Sequence, residues 1–514
     1  MFYSILFPTQ EQHGQHRRTD VPDCFKDLNL DQIFAPILKS KKEYELEGFF
    51  FTSLENKEII LYRQDIMREL EDDSLRNQFI AFSKTVYELG RYVESIKKSL
   101  SSDTLYDNNY LTRGRLLDCA DRYCNEVITL TTGLNGRKLS SDGLRGFGEY
   151  LSAYSASAAF GTLCDRIKQL REELSTVEYC MLIKNGTIRV RKYEGQADHS
   201  KQILAVFDKF RQGDVKDYRH NLTEVPHAEH VEANVLNLVA GLYRDIFDNL
   251  NEFCKKNVSF LDETIMRFAR EIQFYLSWLD YIQPLREAGL PFNYPKLCDT
   301  ADSLCDLNGF DLALAALTGG NTVTNDFVMN TPERIIVVTG PNQGGKTTFA
   351  RAFGQIHWLA SIGLCVPGSE ASLFLFDKIL THFGREEDLT TLNGKLQDDL
   401  VRLHDLLEKA TGRSIIIVNE IFSSTTLSDA LTLGGHMMDA ISALGAPSVV
   451  VTFLDELAYH GEETVSMMST VKAEDPAQRT YKIVRKPPDG LAYAMYIAGK
   501  HGLTYELLNR RLKR

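Results

Sequence analysis

The 514-residue sequence lacks several features that define common classes of protein. Its nine cysteines are scattered and include no Cys-x-x-Cys pair, which excludes a disulfide framework and a cysteine zinc site. Apolar runs such as Ile415–Val418 and Val449–Leu454 are far too short to cross a bilayer. The apolar start, Met1–Phe7, is too short for the core of a signal peptide. These absences predict a soluble, cytoplasmic protein with no membrane partner.

Positive charge is also scarce. The chain has 58 lysines and arginines against 70 aspartates and glutamates, so its net charge is −12. This balance excludes a generally basic nucleic-acid coat, although a local basic groove on an acidic body stays possible. The length predicts three to four domains of roughly 100–200 residues each. A hydrophobic content of 43% is that of an ordinary globular core.

Proline is nearly absent from the helical patterns before residue 300, so long helices are allowed there. Apolar residues recur at three- and four-residue steps, as in Ile66–Leu100 and Leu116–Ile128. The longest such stripe, Val235–Ile282, predicts a helix over about 230–282 that would act as a lever. Two ordinary helices broken near Asn257 are the alternative.

One β signal interrupts the helices. Two β-rich runs, Val177–Ile183 and Thr187–Tyr193, flank an Asn-Gly turn and predict a hairpin over about 176–194. The second strand places Arg189 and Arg191 on one face and Lys192 on the other. These charges belong either to a contact with a phosphate backbone or to a solvated edge strand.

The pattern becomes α/β after about Pro332. Three short, almost wholly apolar runs, Ile335–Thr339, Ser414–Val418 and Ser448–Thr452, are typical of parallel strands buried on both faces. Helical stretches lie between them. Strands alternating with helices predict a doubly wound sheet.

A glycine-rich loop follows the first of these strands and matches G-x-x-x-x-G-K-[ST]. Its residues are Gly340, Pro341, Asn342, Gln343, Gly344, Gly345, Lys346 and Thr347, followed by Thr348. Backbone N–H groups in such a loop surround phosphates, and the N-terminus of the next helix adds partial positive charge. Lys346 is predicted to reach the outer phosphates and Thr347 to ligate Mg²⁺.

The second apolar strand ends in an amide and an acid, Asn419 and Glu420. Glu420 stands where a general base would orient an attacking water. Asn419 occupies the place where an aspartate usually supports Mg²⁺. Its amide oxygen can accept the same hydrogen bonds but brings no charge, so weaker Mg²⁺ binding or turnover is expected.

Together these residues resemble a known family. The segment Thr339–Thr348 is similar to the T-G-P-N-M-G-G-K-S-T of MutS proteins, which is far more specific than a general phosphate-binding loop. Four further segments resemble MutS motifs: Val323–Asp326, Ala360–Pro367, Gly384–Leu389 and Asn419–Leu431. The likeness is strong over about 320–500 and weaker over about 40–315.

The resemblance implies an α/β P-loop ATPase domain of ABC type, preceded by a mostly α-helical core and lever domain with a small hairpin. The expected domains are an N-terminal extension (1–40), the core and lever domain (41–315) and the ATPase domain (316–514). It also implies a weak ATPase that uses ATP and Mg²⁺, forms a homodimer and binds a DNA structure in repair or recombination. Lys346 and Glu420 would be catalytic, Gly340–Thr348 would bind the nucleotide, and Thr347 and Asn419 would hold the metal.

The sequence departs from the family pattern at three places, and these departures bear on the expected rate of ATP hydrolysis. They are Asn419, Phe453 where the family has histidine, and Asn393–Asp399 where the family's signature loop carries a serine. They predict slow hydrolysis or a nucleotide-gated switch, and the alternative function is a scaffold with negligible ATPase activity. The family's mismatch-reading domain and nuclease tail are expected to be absent, and Phe147-Gly148-Glu149 is interpreted as a chance match to its Phe-x-Glu wedge.

Overall fold

The computed structural model describes residues 2–13, 20–101, 110–196, 228–384, 394–472, 478–489, 503–505 and 508–509. The chain divides into two compact units. A helical unit comprises residues 77–138 and 146–270, and an α/β unit comprises residues 2–76, 139–145 and those from 271 onward. The predicted boundaries at 40/41 and 315/316 do not coincide with these units.

The described α-helices follow one another along the chain as follows. They are α1 (Gln10–His13), α2 (Cys24–Leu28), α3 (Leu30–Ser40), α4 (Glu47–Phe50), α5 (Lys57–Glu69), α6 (Asp73–Ser101), α7 (Tyr110–Leu134), α8 (Asp142–Ser155), α9 (Ala158–Ser175), α10 (Ala228–Leu242), α11 (Arg244–Asn257), α12 (Glu263–Glu287), α13 (Leu312–Leu317), α14 (Lys346–Ser361), α15 (Lys395–Lys409) and α16 (Leu427–Leu444). Short 3₁₀ helices span Lys42–Tyr44 and Asp455–Tyr459. In the described part of the chain no helix combines the length and apolar character needed to span a membrane.

The described strands are shorter and concentrate after residue 290. They are β1 (Tyr179–Lys184), β2 (Thr187–Lys192), β3 (Phe292–Asn293), β4 (Lys296–Cys298), β5 (Ser303–Gly309), β6 (Asn325–Asn330), β7 (Ile335–Thr339), β8 (Val366–Pro367), β9 (Glu370–Phe374), β10 (Ile379–Phe383), β11 (Ile415–Asn419), β12 (Ser448–Val451), β13 (Thr464–Val471) and β14 (Arg479–Arg485).

Aromatic packing forms the centre of the helical unit. The ring of Phe147 stacks on Phe268 with 3.5 Å between centroids and 2° between planes, and Phe79 lies 5.3 Å from Phe268. Phe147 is fully buried. The Phe-x-Glu match therefore belongs to a helix core, in agreement with its interpretation as chance.

The single helix predicted over about 230–282 is wrong. The region forms α10, α11 and α12, with breaks at Tyr243 and between Asn257 and Glu263. At the second break Asp262 caps α12, because its Oδ1 accepts from the N–H groups of Thr264 (3.0 Å) and Ile265 (2.9 Å). The alternative of a break near Asn257 is thus confirmed, and the break at Tyr243 was not foreseen.

The predicted hairpin is present as β1 and β2. Its turn residues Asn185 and Gly186 have φ values of 52° and 74°, as a two-residue hairpin turn requires. Opposed pairs on one face are Met181 with Val190 and Ile183 with Ile188, whereas the other face pairs Leu182 with Arg189 and Cys180 with Arg191. One face of the hairpin is therefore apolar except for Lys192, which pairs with Tyr179, and the other face carries Lys184, Arg189 and Arg191.

A six-stranded sheet dominates the α/β unit, in the order β10-β11-β12-β7-β13-β14. All neighbouring pairs are parallel except β13 and β14. Every residue of β7, β11 and β12 is buried, as their apolar sequences predict. Ile416 and Val418 pack into a cluster with Leu403 of α15 and Met438 of α16, so helices cover that face.

The opposite face of this sheet receives α14. A Cβ on Gly354 would lie 2.8 Å from Ile417 and 2.6 Å from Leu28, so glycine permits the close approach of both. Two side chains of α14 bind the backbone of α2: Arg351 Nε donates to Asp27 O (2.9 Å) and Gln355 Nε2 donates to Leu28 O (2.8 Å). Helix α2, which lies within the stretch 1–40 that was predicted to be an extension, thus contributes to the core of the α/β unit.

A second sheet, in the order β4-β9-β5-β6, completes the unit, and a small two-stranded sheet pairs β3 with β8. Strand β5 lies between β9 and β6 and is antiparallel to both. Phe327 of β6 packs against Phe353 of α14, with 4.9 Å between ring centroids. Helix α14 is therefore in contact with elements of both sheets.

Candidate functional site

The loop between β7 and α14 has a backbone that its glycines make possible. Gly340 and Gly345 have φ values of 107° and 93°, which side chains rarely adopt. A Cβ on Gly344 would lie only 2.0 Å from Ser469 Oγ on β13. That hydroxyl is buried and donates to Gly344 O at 2.8 Å. The neighbouring strand therefore holds the loop in place by direct contact.

Lys346 begins α14 and turns its ammonium group into this loop. Nζ donates to Gly340 O (2.9 Å), Pro341 O (3.2 Å) and Asn342 Oδ1 (3.3 Å). The side chain is only 4% exposed. Burial lowers the pKa of Lys346, and the carboxylate of Glu420 opposes that shift. The curved backbone of the loop thus surrounds a cationic group, an arrangement that suits the binding of an anion.

The predicted metal ligands lie side by side. Thr347 Oγ1 donates to Asn419 Oδ1 at 2.9 Å, which joins the first turn of α14 to the carboxyl end of β11. Both are neutral oxygen groups of the kind that Mg²⁺ accepts. Among the described residues no cluster of three or more histidines, cysteines, aspartates or glutamates is arranged for a metal ion. The pair therefore fits a cation that also takes ligands from a phosphate chain.

Glu420 follows β11 in a strained backbone conformation. Its φ is 52°, which is uncommon for a residue with a Cβ and typical of functional sites. Its N–H donates to Val451 O (2.9 Å) on β12, which fixes the turn. The side chain is 47% exposed, and its carboxylate lies 3.9 Å from Lys346 Nζ. The acid therefore faces the cavity and the cation together.

These residues surround one open cavity of about 410 Å³. It is lined by Leu314, Asn321, Thr322, Val323, Asn325, Gln343, Gly344, Gly345, Lys346, Thr347, Thr348, Glu420 and Tyr481. The structure thus gathers the loop, Glu420 and, through its contact with Thr347, Asn419. Gly340, Pro341 and Asn342 bind Lys346 instead of lining the cavity.

Several residues of the cavity were missed from the sequence. Tyr481 comes from β14 and is held through its backbone, since Asn325 Nδ2 donates to Tyr481 O at 3.2 Å. Arg479 on the same strand donates from Nε to Asn342 O at 3.2 Å. No motif marked either residue, whereas the V-x-N-D likeness had already marked Val323 and Asn325. Strand β14 reaches the site through sheet topology, which local sequence does not reveal.

Asp455 is a further missed group. It lies in the 3₁₀ helix after β12, close enough to Lys346 for each to influence the other's pKa. Burial raises the pKa of Asp455, Glu456 and Asp489 raise it further, and Lys346 lowers it. Two carboxylates, Glu420 and Asp455, therefore act electrostatically on one ammonium group.

The structure also shows the surroundings of residues at which the sequence departs from the family pattern. Thr452 is buried, and its Oγ1 accepts from Leu454 N at 3.0 Å. Phe453 is 47% exposed and offers no polar group. Residues 385–390 and Asn393 lie outside the described part of the chain. Asp399 of the altered segment is buried beside His382 of β10, with 3.3 Å between its Oδ1 and the imidazole Nε2.

The comparisons with known proteins agree with this geometry. Residues 336–511 match the family described as MutS domain V. The DNA mismatch repair protein MutS of Thermotoga maritima is 26% identical over 317 residues, which are 60% of this chain and 37% of that protein. The chain thus resembles MutS proteins and matches MutS domain V over residues 336–511. The family resemblance predicted from the loop and its downstream motifs is therefore confirmed.

Two further relatives share shorter segments with this chain. MutS of Lactobacillus johnsonii is 26% identical over 295 residues, covering 55% of this chain and 33% of that protein. Endonuclease MutS2 of Thermus thermophilus is 30% identical over 195 residues, covering 37% of this chain and 26% of that protein. The chain thus spans about a third of the length of the curated relatives it matches.

Proposed function

We propose that the α/β unit is a P-loop ATPase domain of ABC type that binds ATP with Mg²⁺ and hydrolyses it slowly. The observation that carries this proposal is the convergence of Lys346, Thr347, Asn419 and Glu420 at one end of the cavity. Each has a chemically distinct role in phosphoryl transfer, a reaction that depends on positioning and charge stabilisation.

The phosphates and the base of a nucleotide would contact different lining residues of the cavity. The phosphates bind along the glycine-rich loop, where Lys346 donates to the outer phosphates and stabilises charge that develops there. The base would lie toward Asn321, Val323 and Tyr481, which line the same cavity, with Tyr481 beside Gly345 of the loop. The exposed ring of Tyr481 offers a flat surface on which a base can stack.

Thr347 and Asn419 would hold the Mg²⁺ ion through their side-chain oxygens. The ion supplies charge neutralisation across the phosphate chain. Because both protein groups are neutral, the site binds the metal more weakly than one with an aspartate. Saturation of turnover at a comparatively high Mg²⁺ concentration is therefore expected.

Glu420 would orient the attacking water and accept its proton. Its exposed carboxylate at the mouth of the cavity, 3.9 Å from Lys346 Nζ, suits that role. Phe453 stands where the family has a histidine and cannot donate a hydrogen bond to phosphate or water. Slow turnover follows, since one polar contact to the reacting groups is missing.

ATP hydrolysis by the purified protein and by Glu420→Gln tests the enzyme proposal. The variant should keep ATP binding and lose turnover, so that it retains bound ATP. Glu462→Gln makes the same chemical change at an exposed turn of the α/β unit and should behave as wild type. Equal turnover in wild type and Glu420→Gln would contradict the assignment of the base.

We further propose that the protein acts on DNA as a homodimer. Support comes from two relatives named for DNA mismatch repair and from the cationic hairpin face with Lys184, Arg189 and Arg191. The family resemblance implies that each partner completes the other's nucleotide site. ATP binding would then close the dimer and move the helices that follow the hairpin.

The salt dependence of DNA binding tests the contribution of the hairpin. Removing two phosphate contacts in Arg189→Ala/Arg191→Ala should reduce the slope of log affinity against log salt by about 2. Lys255→Ala/Lys256→Ala removes the same charge from exposed positions of α11 and should leave the slope unchanged. Identical slopes in both double variants would exclude the hairpin as a DNA contact.

A nucleotide-gated scaffold is a second candidate, favoured by the amide at Asn419 and the exposed Phe453. In that case ATP would bind and drive association of two copies without measurable turnover. Sedimentation with ATP and with ADP separates the two functions. A dimer that forms with ATP and persists unchanged for hours would favour the scaffold, whereas decay of the dimer with ADP release would favour the ATPase.

A further inference from the structure

Strand β14 leaves regular pairing at the point where it reaches the nucleotide cavity. Its register with β13 shifts between Ser469, which is opposite Ile483, and Val471, which is opposite Arg479. Between these pairs one residue of β13 stands opposite residues 480–482 of β14, so the longer strand must bulge. A β-bulge bends its strand and turns a side chain out of the regular pleat, often beside a functional site.

Tyr481 is the middle residue of this bulge. Its φ of 59° lies in the left-handed region, which a residue with a Cβ rarely adopts. Strand β13 holds the two ends of the bulge, because Thr470 Oγ1 donates to Lys482 O at 3.1 Å and Thr480 Oγ1 donates to Thr470 O at 2.9 Å. A strained residue persists only where its surroundings fix it in this way.

The side-chain amide of Asn325 occupies the other side of the bulge. Its Nδ2 donates to Tyr481 O at 3.2 Å, and its Oδ1 accepts from Ile483 N at 2.7 Å. A residue of a parallel strand makes the same pair of bonds with its own N–H and C=O. The amide of Asn325 therefore replaces a strand neighbour at the one place where β14 is irregular.

The bulge also lies against the glycine-rich loop. A Cβ on Gly345 would lie 3.6 Å from Tyr481 O and 3.8 Å from Tyr481 Cβ, so the two backbones approach without a side chain between them. The ring of Tyr481 is 51% exposed and lines the nucleotide cavity together with Asn325. Since each polar atom of the Asn325 amide already bonds β14, this side chain reaches a nucleotide through Tyr481.

We propose that Asn325 is a positioning residue that fixes the bulge of β14 and thereby sets the ring of Tyr481 as the platform for the base. This role rests on the proposed nucleotide site. The bonds that hold the Lys346 ammonium group come from the loop itself, at Gly340, Pro341 and Asn342. Loss of the Asn325 amide should therefore weaken the contribution of the base and leave that of the phosphates.

Other contacts keep β14 in place when the amide is removed. Lys482 Nζ donates to Thr324 O, and Arg485 forms an ion pair with Glu333. Variants of Asn325 should thus fold. Asn325→Asp is a second variant of the same shape, which keeps the acceptor for Ile483 N and loses the donor to Tyr481 O.

Calorimetric titration of the full chain with ATP and with inorganic tripolyphosphate, both in Mg²⁺, tests the role. Tripolyphosphate has no base, so the ratio of the two affinities reports what the nucleoside contributes. Asn325→Ala should lower ATP affinity by about tenfold, within what one base–aromatic stack contributes, and leave tripolyphosphate affinity unchanged. Asn325→Asp adds a charge that opposes both ligands, so its ratio should fall in the same direction.

A double-mutant cycle shows whether Asn325 acts through Tyr481. Tyr481→Ala should lower the same ratio, and Asn325→Ala/Tyr481→Ala should lose no more than Tyr481→Ala alone. Asn330→Ala is the matched control at the other end of β6, where its Oδ1 accepts from Ser303 Oγ at 3.2 Å. This control should bind both ligands as the wild type does.

Three results would overturn the role of Asn325. An equal fall in affinity for both ligands would make the amide a structural tie, unchanged affinities in Asn325→Ala would remove the role altogether, and additive losses in the double variant would separate Asn325 from Tyr481. In each of these cases the wild type still binds ATP, and the nucleotide site stands. A wild type that binds neither ligand would instead refute the proposed function, and the role of Asn325 with it.

Discussion

The two sheets of the α/β unit place their polar side chains differently. In the six-stranded sheet the polar groups of the proposed site stand at strand ends, where Asn419 ends β11 and Glu420 follows it. In the four-stranded sheet Asp306 stands in mid-strand, between buried neighbours. The first groups find partners such as Thr347 and Lys346, and the second finds none among the described residues.

The difference shows that the position of a polar side chain within a strand decides whether it finds a hydrogen-bond partner. At the carboxyl ends of parallel strands, loops and helix N-termini converge and supply hydrogen bonds to one another. In mid-strand the backbone is already paired and the neighbouring side chains are apolar, so a carboxyl group must bring its own counter-ion or proton. The strand-end groups are thus partnered by protein atoms, whereas the mid-strand carboxyl group has no hydrogen-bond partner among the described residues.

The sharpest test of the strand-end site is Lys346→Ala, which should have the largest effect. Removing a buried cation held by three loop acceptors should lower ATP turnover by about 10²–10³-fold, as loss of one preorganised donor does in other enzymes. Steady-state hydrolysis and equilibrium ATP binding measure it. Lys472→Ala, at an exposed position, is the control and should match wild type. An undiminished rate in Lys346→Ala would remove the basis of the strand-end site.

The pH dependence of stability tests the side of α14 that faces the four-stranded sheet. Burial lowers the pKa of His357 to about 4, although its hydrogen bond with Phe353 O opposes the shift. The folded state therefore holds the neutral imidazole. Stability is complete above the ordinary pKa of 6.5 and is lost as the pH falls from 6.5 towards 4, by about 3 kcal/mol in total.

Urea unfolding between pH 4 and 7.5 measures this loss. His357→Gln should flatten the profile because glutamine does not titrate. His404→Gln replaces a histidine that is 67% exposed on α15 and should keep the slope of wild type. A slope unchanged in His357→Gln would mean that the acid sensitivity arises elsewhere.

Phe453→His tests whether a polar side chain at a third strand end, after β12, raises the rate of ATP turnover. A histidine there can donate to phosphate or water, so turnover should rise by about tenfold, which is less than the roughly 10²–10⁴-fold that a positioned general acid or base contributes. Tyr459→His changes an aromatic residue of 63% exposure in the following 3₁₀ helix and should have no effect. A rate unaltered by Phe453→His would place the limit on turnover outside this position.

The smallest effect is expected from Ser469→Ala, which removes the support of the loop from β13. Its buried hydroxyl donates to Gly344 O at 2.8 Å, so the free energy of unfolding should fall by about 1 kcal/mol. Ser466→Ala, whose hydroxyl donates to Lys486 O at 2.9 Å on the same strand, is a matched control for the loss of a hydroxyl. ATP affinity should weaken in Ser469→Ala and remain unchanged in Ser466→Ala.

The sequence was informative where chemistry depends on consecutive residues. The glycine-rich loop, the apolar strands and the Asn-Gly hairpin turn are local patterns, and the structure forms the strands and the hairpin as predicted. The single helix over about 230–282 was wrong because an apolar stripe continues through Tyr243 and Asp262, where capping and bends interrupt the backbone without changing the periodicity.

Residues that join the site through topology could not be predicted. Tyr481 and Arg479 reach the loop because β14 is the last strand of the sheet, which no local pattern states. In the sequence, Asp306 is indistinguishable from the other 69 aspartates and glutamates, because its isolation appears only when its neighbours on β6 and β9 are known. Likewise, no pattern in the sequence of α2 indicates that this helix packs on α14, which lies more than 300 residues away in the chain.

That packing of α2 on α14 has a consequence for biosynthesis. Leu28 and Gln355, which share a hydrogen bond, are 327 residues apart in the chain. At the usual pace of translation, roughly 20–60 s pass between their appearance on the ribosome. During this interval Phe25 and Leu28, both destined for full burial, have no partner from α14. The nascent chain therefore carries an apolar N-terminal segment that only later synthesis can cover, and exposed apolar surface of this kind promotes aggregation during folding.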